Sequence, residues 1–137
     1  METYKFGNFE ISLSAKFTNE YIDKFGNGEM GKFLVYAEYN GKRLQFGFYE
    51  SVYDTKAGKK NLTGKDLVDA FRCFISDVLL ILSNNWEKSE IEKEIGEISS
   101  QTYIELKRSA NSFLRLFNEN DIYDLWDSIN EYMEKEE

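Results

Sequence analysis

The chain reads as an α+β fold, a small antiparallel sheet of about three strands at the N-terminus with three to four helices packed on one of its faces. Two features carry that reading. Apolar residues alternate with polar ones through the first third of the sequence, the period of a half-buried strand, and from Thr63 onward they recur every three or four residues, the period of a helix. The dipeptide Asn40-Gly41 lies between two alternating runs, and a tight hairpin turn needs positive φ at both of its central residues, which asparagine and glycine tolerate.

The first expected strand holds Phe9, Ile11, Leu13, Ala15 and Phe17 on one side. A turn-rich stretch, KFGNGEMGK, leads into FLVYAEY, the Asn40-Gly41 turn and KRLQFGFY. A two-residue turn sets Ala37 opposite Leu44, Val35 opposite Phe46 and Phe33 opposite Phe48, with Glu38 opposite Arg43 on the other side. One face is apolar and the other polar, as in a sheet covered on one side only. Thr63 is placed to cap the first helix, with Asp66 at the third position of a shortened capping box. Leu67, Ala70, Phe71, Phe74, Ile75, Val78, Leu79 and Leu82 then repeat at helical spacing. The segment WEKSEIEKEIG predicts a shorter helix closed by Gly96. Tyr103, Leu106, Ala110, Phe113, Leu114 and Phe117 mark a third helix, and Ile122, Leu125, Trp126, Ile129 and Met133 a last one. The hairpin over 33–49 and the helix over 64–82 are expected to form the core.

With 137 residues, 42% of them hydrophobic, the chain is long enough to bury its own core as one domain. Residues 1–50 form the sheet, 51–62 a basic loop, and 63–137 a helical layer with an acidic last helix. No apolar run is long enough for a membrane span, and METYKFGNFE has neither the basic start nor the apolar stretch of a secretory signal. A cytoplasmic protein with no membrane contact is expected. Charge is divided unevenly. Residues 1–65 carry ten cations against eight acids, a balance of +2, whereas residues 66–137 carry seven against seventeen, a balance of −10. A protein that grips phosphates broadly needs a basic face, so direct nucleic-acid binding is disfavoured.

The sequence has no histidine, which excludes Ser-His-Asp and Cys-His arrangements and histidine-based zinc sites. Cys73 shares a helix face with Asp66, Asp69 and Asp77, and carboxylates raise a thiol pKa, the wrong direction for a nucleophile. No catalytic residue, cofactor or metal is therefore assigned. Asp66, Asp69 and Asp77, with Asp54 in the preceding loop, read as a polar helix face in preference to a magnesium site. The loop cations Lys56, Lys59, Lys60 and Lys65 precede a helix N-terminus without the G-x-x-x-x-G-K-[ST] spacing of a phosphate cradle. They support a second function, that of a regulatory or replication accessory protein touching DNA through residues 56–65.

In the last helix Asp124, Asp127, Glu131 and Glu134 stand three, four and three residues apart. Like charges at that spacing repel by roughly 0.2–0.5 kcal/mol per pair. Glu87, Glu90, Glu94 and Glu97 form a second row at the same spacing, flanked by Lys88 and Lys93. Such rows serve either as solvated helix sides or as a spaced negative surface that attracts a basic groove by the steering that attracts nucleic acid. Tyr123, Trp126 and Tyr132 would be aromatic anchors at its edge.

The stretch FYESVYDTKAGKKNLTGKDLVDAFRCFISDV resembles small accessory proteins carried by phages and conjugative elements of Firmicutes. The likeness rests on Ser51, Asp54, Leu62, Thr63, Asp66, Leu67, Ala70, Phe71, Cys73, Phe74, Ser76 and Asp77. It continues weakly through WEKSEIEKEIG, covers about residues 46–117, and leaves residues 1–40 unmatched. Some small, acidic, intracellular phage proteins of this size inhibit host defence nucleases, including CRISPR effectors, so the resemblance implies a mobile-element protein of the host cytoplasm. Together with the acidic rows, the expected function is non-enzymatic inhibition of the anti-CRISPR type, and the expected partner a host protein with a basic surface, such as a CRISPR effector, met through the acidic helices.

Overall fold

In the computed structural model, which describes residues 1–22, 29–51 and 62–135, Asn40 and Gly41 take φ values of 50° and 76°. The two-residue turn forms, and it sets the register. Ala37 pairs with Leu44, Val35 with Phe46, Phe33 with Phe48 and Glu38 with Arg43. The Arg43 guanidinium lies 3.4 Å from the Glu38 carboxylate. Both side chains are well exposed, so the pair contributes little stability.

The strands are β1 (Glu2–Phe6), β2 (Phe9–Ile22), β3 (Glu29–Tyr39) and β4 (Lys42–Ser51), and the helices are α1 (Gly64–Ser83), α2 (Lys88–Ile95), α3 (Ser100–Phe113) and α4 (Glu119–Lys135). Among the described residues the sheet has four strands in the order β1-β2-β3-β4, each antiparallel to its neighbour. The expected count of about three falls short by β1. Only Tyr4 and Phe6 point inward from it, too short a run for alternation to register. Its turn to β2 is Gly7-Asn8, with Gly7 at φ 58°, the Gly-first pattern of a tight hairpin. The loop expected over 51–62 lies almost entirely outside the described residues.

Tyr4, Phe6, Phe9, Ile11, Leu13, Phe33, Val35, Ala37, Leu44 and Phe46 form the buried face of the sheet. Against it α1 supplies Phe71, Phe74, Ile75 and Val78. The helix packs between α3 and α4, and these two reach the opposite edges of the sheet, α3 at β4 and α4 at β1. Phe46 stacks on Phe74 with ring centres 4.2 Å apart. The far face of the sheet, with Lys5, Glu10, Lys16 and Gln45 exposed, stays open to solvent.

Local signals set the helix ends. The Ser99 hydroxyl accepts from the Thr102 amide at 3.0 Å to cap α3. Asn118 Oδ1 accepts from the Asp121 amide at 2.8 Å to cap α4, a start that the sequence pattern did not locate. Gly96 closes α2 at φ 94°, as expected. The capping box at Thr63 does not form: the residue is extended, but its side chain makes no cap hydrogen bond. Gly64 follows it at φ 57°, which takes the first amides of α1 out of line with the hydroxyl. No helix among the described residues is long and apolar enough to cross a membrane.

Phe71 is fully buried and Phe74 nearly so, so Phe71→Ala or Phe74→Ala is expected to cost about 3–5 kcal/mol. Urea denaturation checks this, with Lys65→Ala on the exposed first turn of α1 as the control. Midpoints equal to the parent would contradict the packing of α1 on the sheet.

Candidate functional site

The acidic row lies on α4, and four sets of contacts fix where α4 sits. Ile122, Leu125, Ile129 and Met133 are buried toward α1 and the sheet, which turns the opposite side, with Asp124, Asp127, Glu131 and Glu134, to solvent. A polar clasp then joins α4 to α1. Arg72 donates to Asp69 at 2.6 Å and to Asn130 Oδ1 at 3.3 Å, and Asn130 Nδ2 donates to the Trp126 carbonyl at 3.0 Å. At the other flank the Tyr132 ring stands edge-on to Tyr4 and Phe6, with centres 6.2 and 5.2 Å away. Between them the β1–β2 turn meets α4 so closely that a Cβ on Gly7 would lie 2.6 Å from Ser128 Oγ.

That contact divides the acidic row. On one side Asp121, Asp124 and Asp127 wall a cavity of about 520 Å³ whose other wall is Gly7, Asn8, Phe9 and Tyr39. On the other side Glu131 shares a smaller recess of about 240 Å³ with Lys5, Tyr132 and Lys135. Glu131 is paired with Lys135 at 3.2 Å, the lysine sitting four residues on and within reach across one helical turn, so the row is not wholly without compensating charge. Asp121, Asp124, Asp127 and Glu134 have no ion-pair partner among the described residues. Asp121 was the acid that sequence reasoning passed over, although it stands three residues before Asp124 and so extends the same spacing. Of the proposed anchors, Tyr123 is exposed at 41%. Trp126 and Tyr132 are partly buried against the core.

The second row is broken by the ends of its helix. Glu87 occupies the N-cap position of α2 and Glu97 lies beyond Gly96, so only Glu90 and Glu94 stand on α2. Both are engaged: Glu90 with Lys93 at 2.9 Å, and Glu94 with Asn84 Nδ2 at 2.7 Å. Asn84 Nδ2 also donates to the Leu80 carbonyl at 2.8 Å, so Glu94 helps to close the corner between α1 and α2. These carboxylates have local structural work that those facing the β1–β2 turn lack.

The acids of α1 do not converge. Asp69 belongs to the clasp with Arg72, and among the described residues no group of three or more His, Cys, Asp or Glu side chains could hold a metal ion. The fourth proposed ligand, Asp54, lies outside the described residues, as do Lys56, Lys59 and Lys60 of the basic loop. Lys65 is exposed on the first turn of α1. The Cys73 thiol is raised above its ordinary value, first by partial burial and then by Asp69, with Arg72 opposing and Asp77 adding.

No protein-family model, no curated protein and no solved structure matches the chain.

Two outcomes follow from this geometry. Gly7→Ala places a Cβ against Ser128 and strains a positive-φ position, and is expected to cost about 1–3 kcal/mol. Adding Ser128→Gly should restore part of the loss by removing the clash while leaving the strained φ, as a double-mutant cycle by chemical denaturation would resolve. Cys73 should react with iodoacetamide at pH 7 more slowly than an unstructured cysteine, because a raised pKa leaves less thiolate. Its rate should keep climbing with pH beyond 9.0, the ordinary thiol value; a midpoint below that value would contradict the assigned environment.

Proposed function

We propose that the protein is a non-enzymatic binding protein of a mobile element, an anti-CRISPR-type inhibitor that occupies a basic nucleic-acid site of a host nuclease through its acidic helix. The observation that carries this reading is the set Asp121, Asp124 and Asp127, carboxylates without an ion-pair partner among the described residues, on a helix held by the Arg72 clasp, the Gly7–Ser128 contact and the Tyr132 ring. Holding like charges side by side on a fixed support costs stability, and a partner's lysines and arginines would relieve it. From Asp124 to Glu134 the row extends roughly 15 Å at 1.5 Å per residue, with exposed Tyr123 beside it as an apolar contact. The resemblance of residues 46–117 to accessory proteins of phages and conjugative elements supplies the biological setting. The acids of α2 join this surface less well, because Glu90 and Glu94 already have partners.

The test is capture of CRISPR effector nucleases from the host on the tagged protein, followed by competition with their DNA. Capture should be strong at low ionic strength and fade as salt rises, while the protein alone shows no affinity for DNA. Changing Asp124 and Asp127 to Asn and Glu131 and Glu134 to Gln leaves the buried side of α4 untouched. Folding stability should hold or rise by a few tenths of a kcal/mol as repulsion is relieved. Partner binding should fall by orders of magnitude, through slower association for rim charges and faster dissociation for buried ones. An intact fold with undiminished binding would overturn the mimicry.

A further inference from the structure

At the edge of the sheet away from α4, the balance of charge reverses. β4 is an edge strand, paired with β3 on one side and with no strand on the other among the described residues. Beside it, between β4 and α3, two hollows of about 660 and 240 Å³ run end to end, sharing Gln45 and Ser112 in their walls. Among the described residues their charged lining is Lys42, Arg43, Arg108 and Arg115 against one acid, Glu105. On a chain of net charge −8, that is a local excess of the opposite sign. Arg43 is shared with Glu38 across the hairpin, but Arg108 and Arg115 form no ion pair among the described residues. Lys42 Nζ donates to the Arg115 carbonyl at 3.3 Å and ties the two walls together at one end.

The backbone of β4 faces the same groove. With the two-residue turn at Asn40-Gly41, the residues flanking it exchange hydrogen bonds, so Lys42, Leu44 and Phe46 direct their amides and carbonyls to β3. Arg43, Gln45 and Gly47 must then direct theirs outward, along the groove that they line. A row of alternating donors and acceptors is completed by another extended peptide backbone, which a nucleic-acid strand does not possess. A second copy's β4 is a poor occupant, since antiparallel pairing would set this basic edge against itself. Acidic side chains on the incoming strand would instead meet Arg108 and Arg115.

We propose that the β4 edge and the basic groove beside α3 capture an extended acidic peptide segment of a partner protein as a fifth strand of the sheet. This site is independent of the acidic row, since it uses cations and main-chain groups at the opposite edge of the sheet.

A short fluorescein-labelled peptide alternating glutamate and valine serves as the probe, with binding read by anisotropy on the unaltered protein. Saturable binding is expected. Two further peptides carry N-methyl groups on all the glutamate amides or on all the valine amides. Because one set of amides faces the protein and the other faces water, one methylated peptide should bind at least about tenfold more weakly and the other should not. Gln45→Pro, which removes an outward amide while sparing the bonds to β3, should weaken the probe similarly. So should the pair Arg108→Glu and Arg115→Glu. No binding of the unmodified peptide overturns the proposal, as does equal behaviour of the two methylated peptides. Displacement of the peptide by a single-stranded oligothymidylate at lower concentration would assign the groove to nucleic acid instead, and would equally overturn it.

Discussion

Phe74 rests on Phe46 of the sheet and 5.7 Å from Phe113 of α3, and from Phe113 the contact between rings continues. Phe113 stacks with Phe117 at 4.9 Å, and Phe117 stacks with Tyr39 at 4.6 Å and meets Phe9 at 6.0 Å. One connected series of aromatic side chains thus joins β4, α1, the end of α3, β3 and β2. Rings of this size bury large areas and prefer offset or edge-on geometry, so the series holds α3 at a set distance from β4 and α1 across the middle of the sheet. The groove beside β4 exists because of that spacing. The placement of α4 depends on it too, since α4 packs on the flank of α1 that α3 leaves uncovered.

What the sequence made legible was periodic, and what it hid was tertiary. The hairpin from Phe33 to Phe48 could be registered residue by residue because a single Asn-Gly turn leaves one pairing that keeps Val35, Ala37, Leu44 and Phe46 on one face. β1 was hidden because two inward residues make no pattern, although Gly7-Asn8 between Phe6 and Phe9 was a turn signal of the right kind. The Thr63 cap failed for a reason visible only in backbone angles, the positive φ of Gly64. In the acidic row the spacing was right, and the pairing of Glu131 with Lys135 was present in the sequence as an i,i+4 relation. The importance of Asp121, by contrast, comes from the Gly7-Asn8 turn that faces it across more than a hundred residues. The basic groove was beyond sequence reasoning altogether, because Lys42 and Arg43 come from a hairpin, Arg108 from α3 and Arg115 from the turn that follows it, some seventy residues later.

The two charged surfaces belong to opposite edges of one sheet, the acidic one beside β1 and the basic one beside β4. Three strand spacings of about 4.8 Å separate the outer strands, further than the Debye length of about 8 Å at physiological salt. Each surface is therefore screened from the other and acts on its own surroundings. The overall −8 attracts basic molecules at long range. Local sign decides which face they meet.

The contact between β1 and α4 bears on how the molecule is made. Strands adjacent in sequence are adjacent in the sheet, so the meander can assemble in the order of its synthesis. Its first strand, however, is covered by the last helix: Tyr4 and Phe6 lie under Tyr132. Until that helix has left the ribosome Tyr4 and Phe6 lack the Tyr132 ring that packs edge-on against them, and a nascent chain would present more of those rings to water and to chaperones. Completion of the fold is thereby coupled to completion of α4, and a chain released before Tyr132 would carry an exposed aromatic edge that quality control recognises.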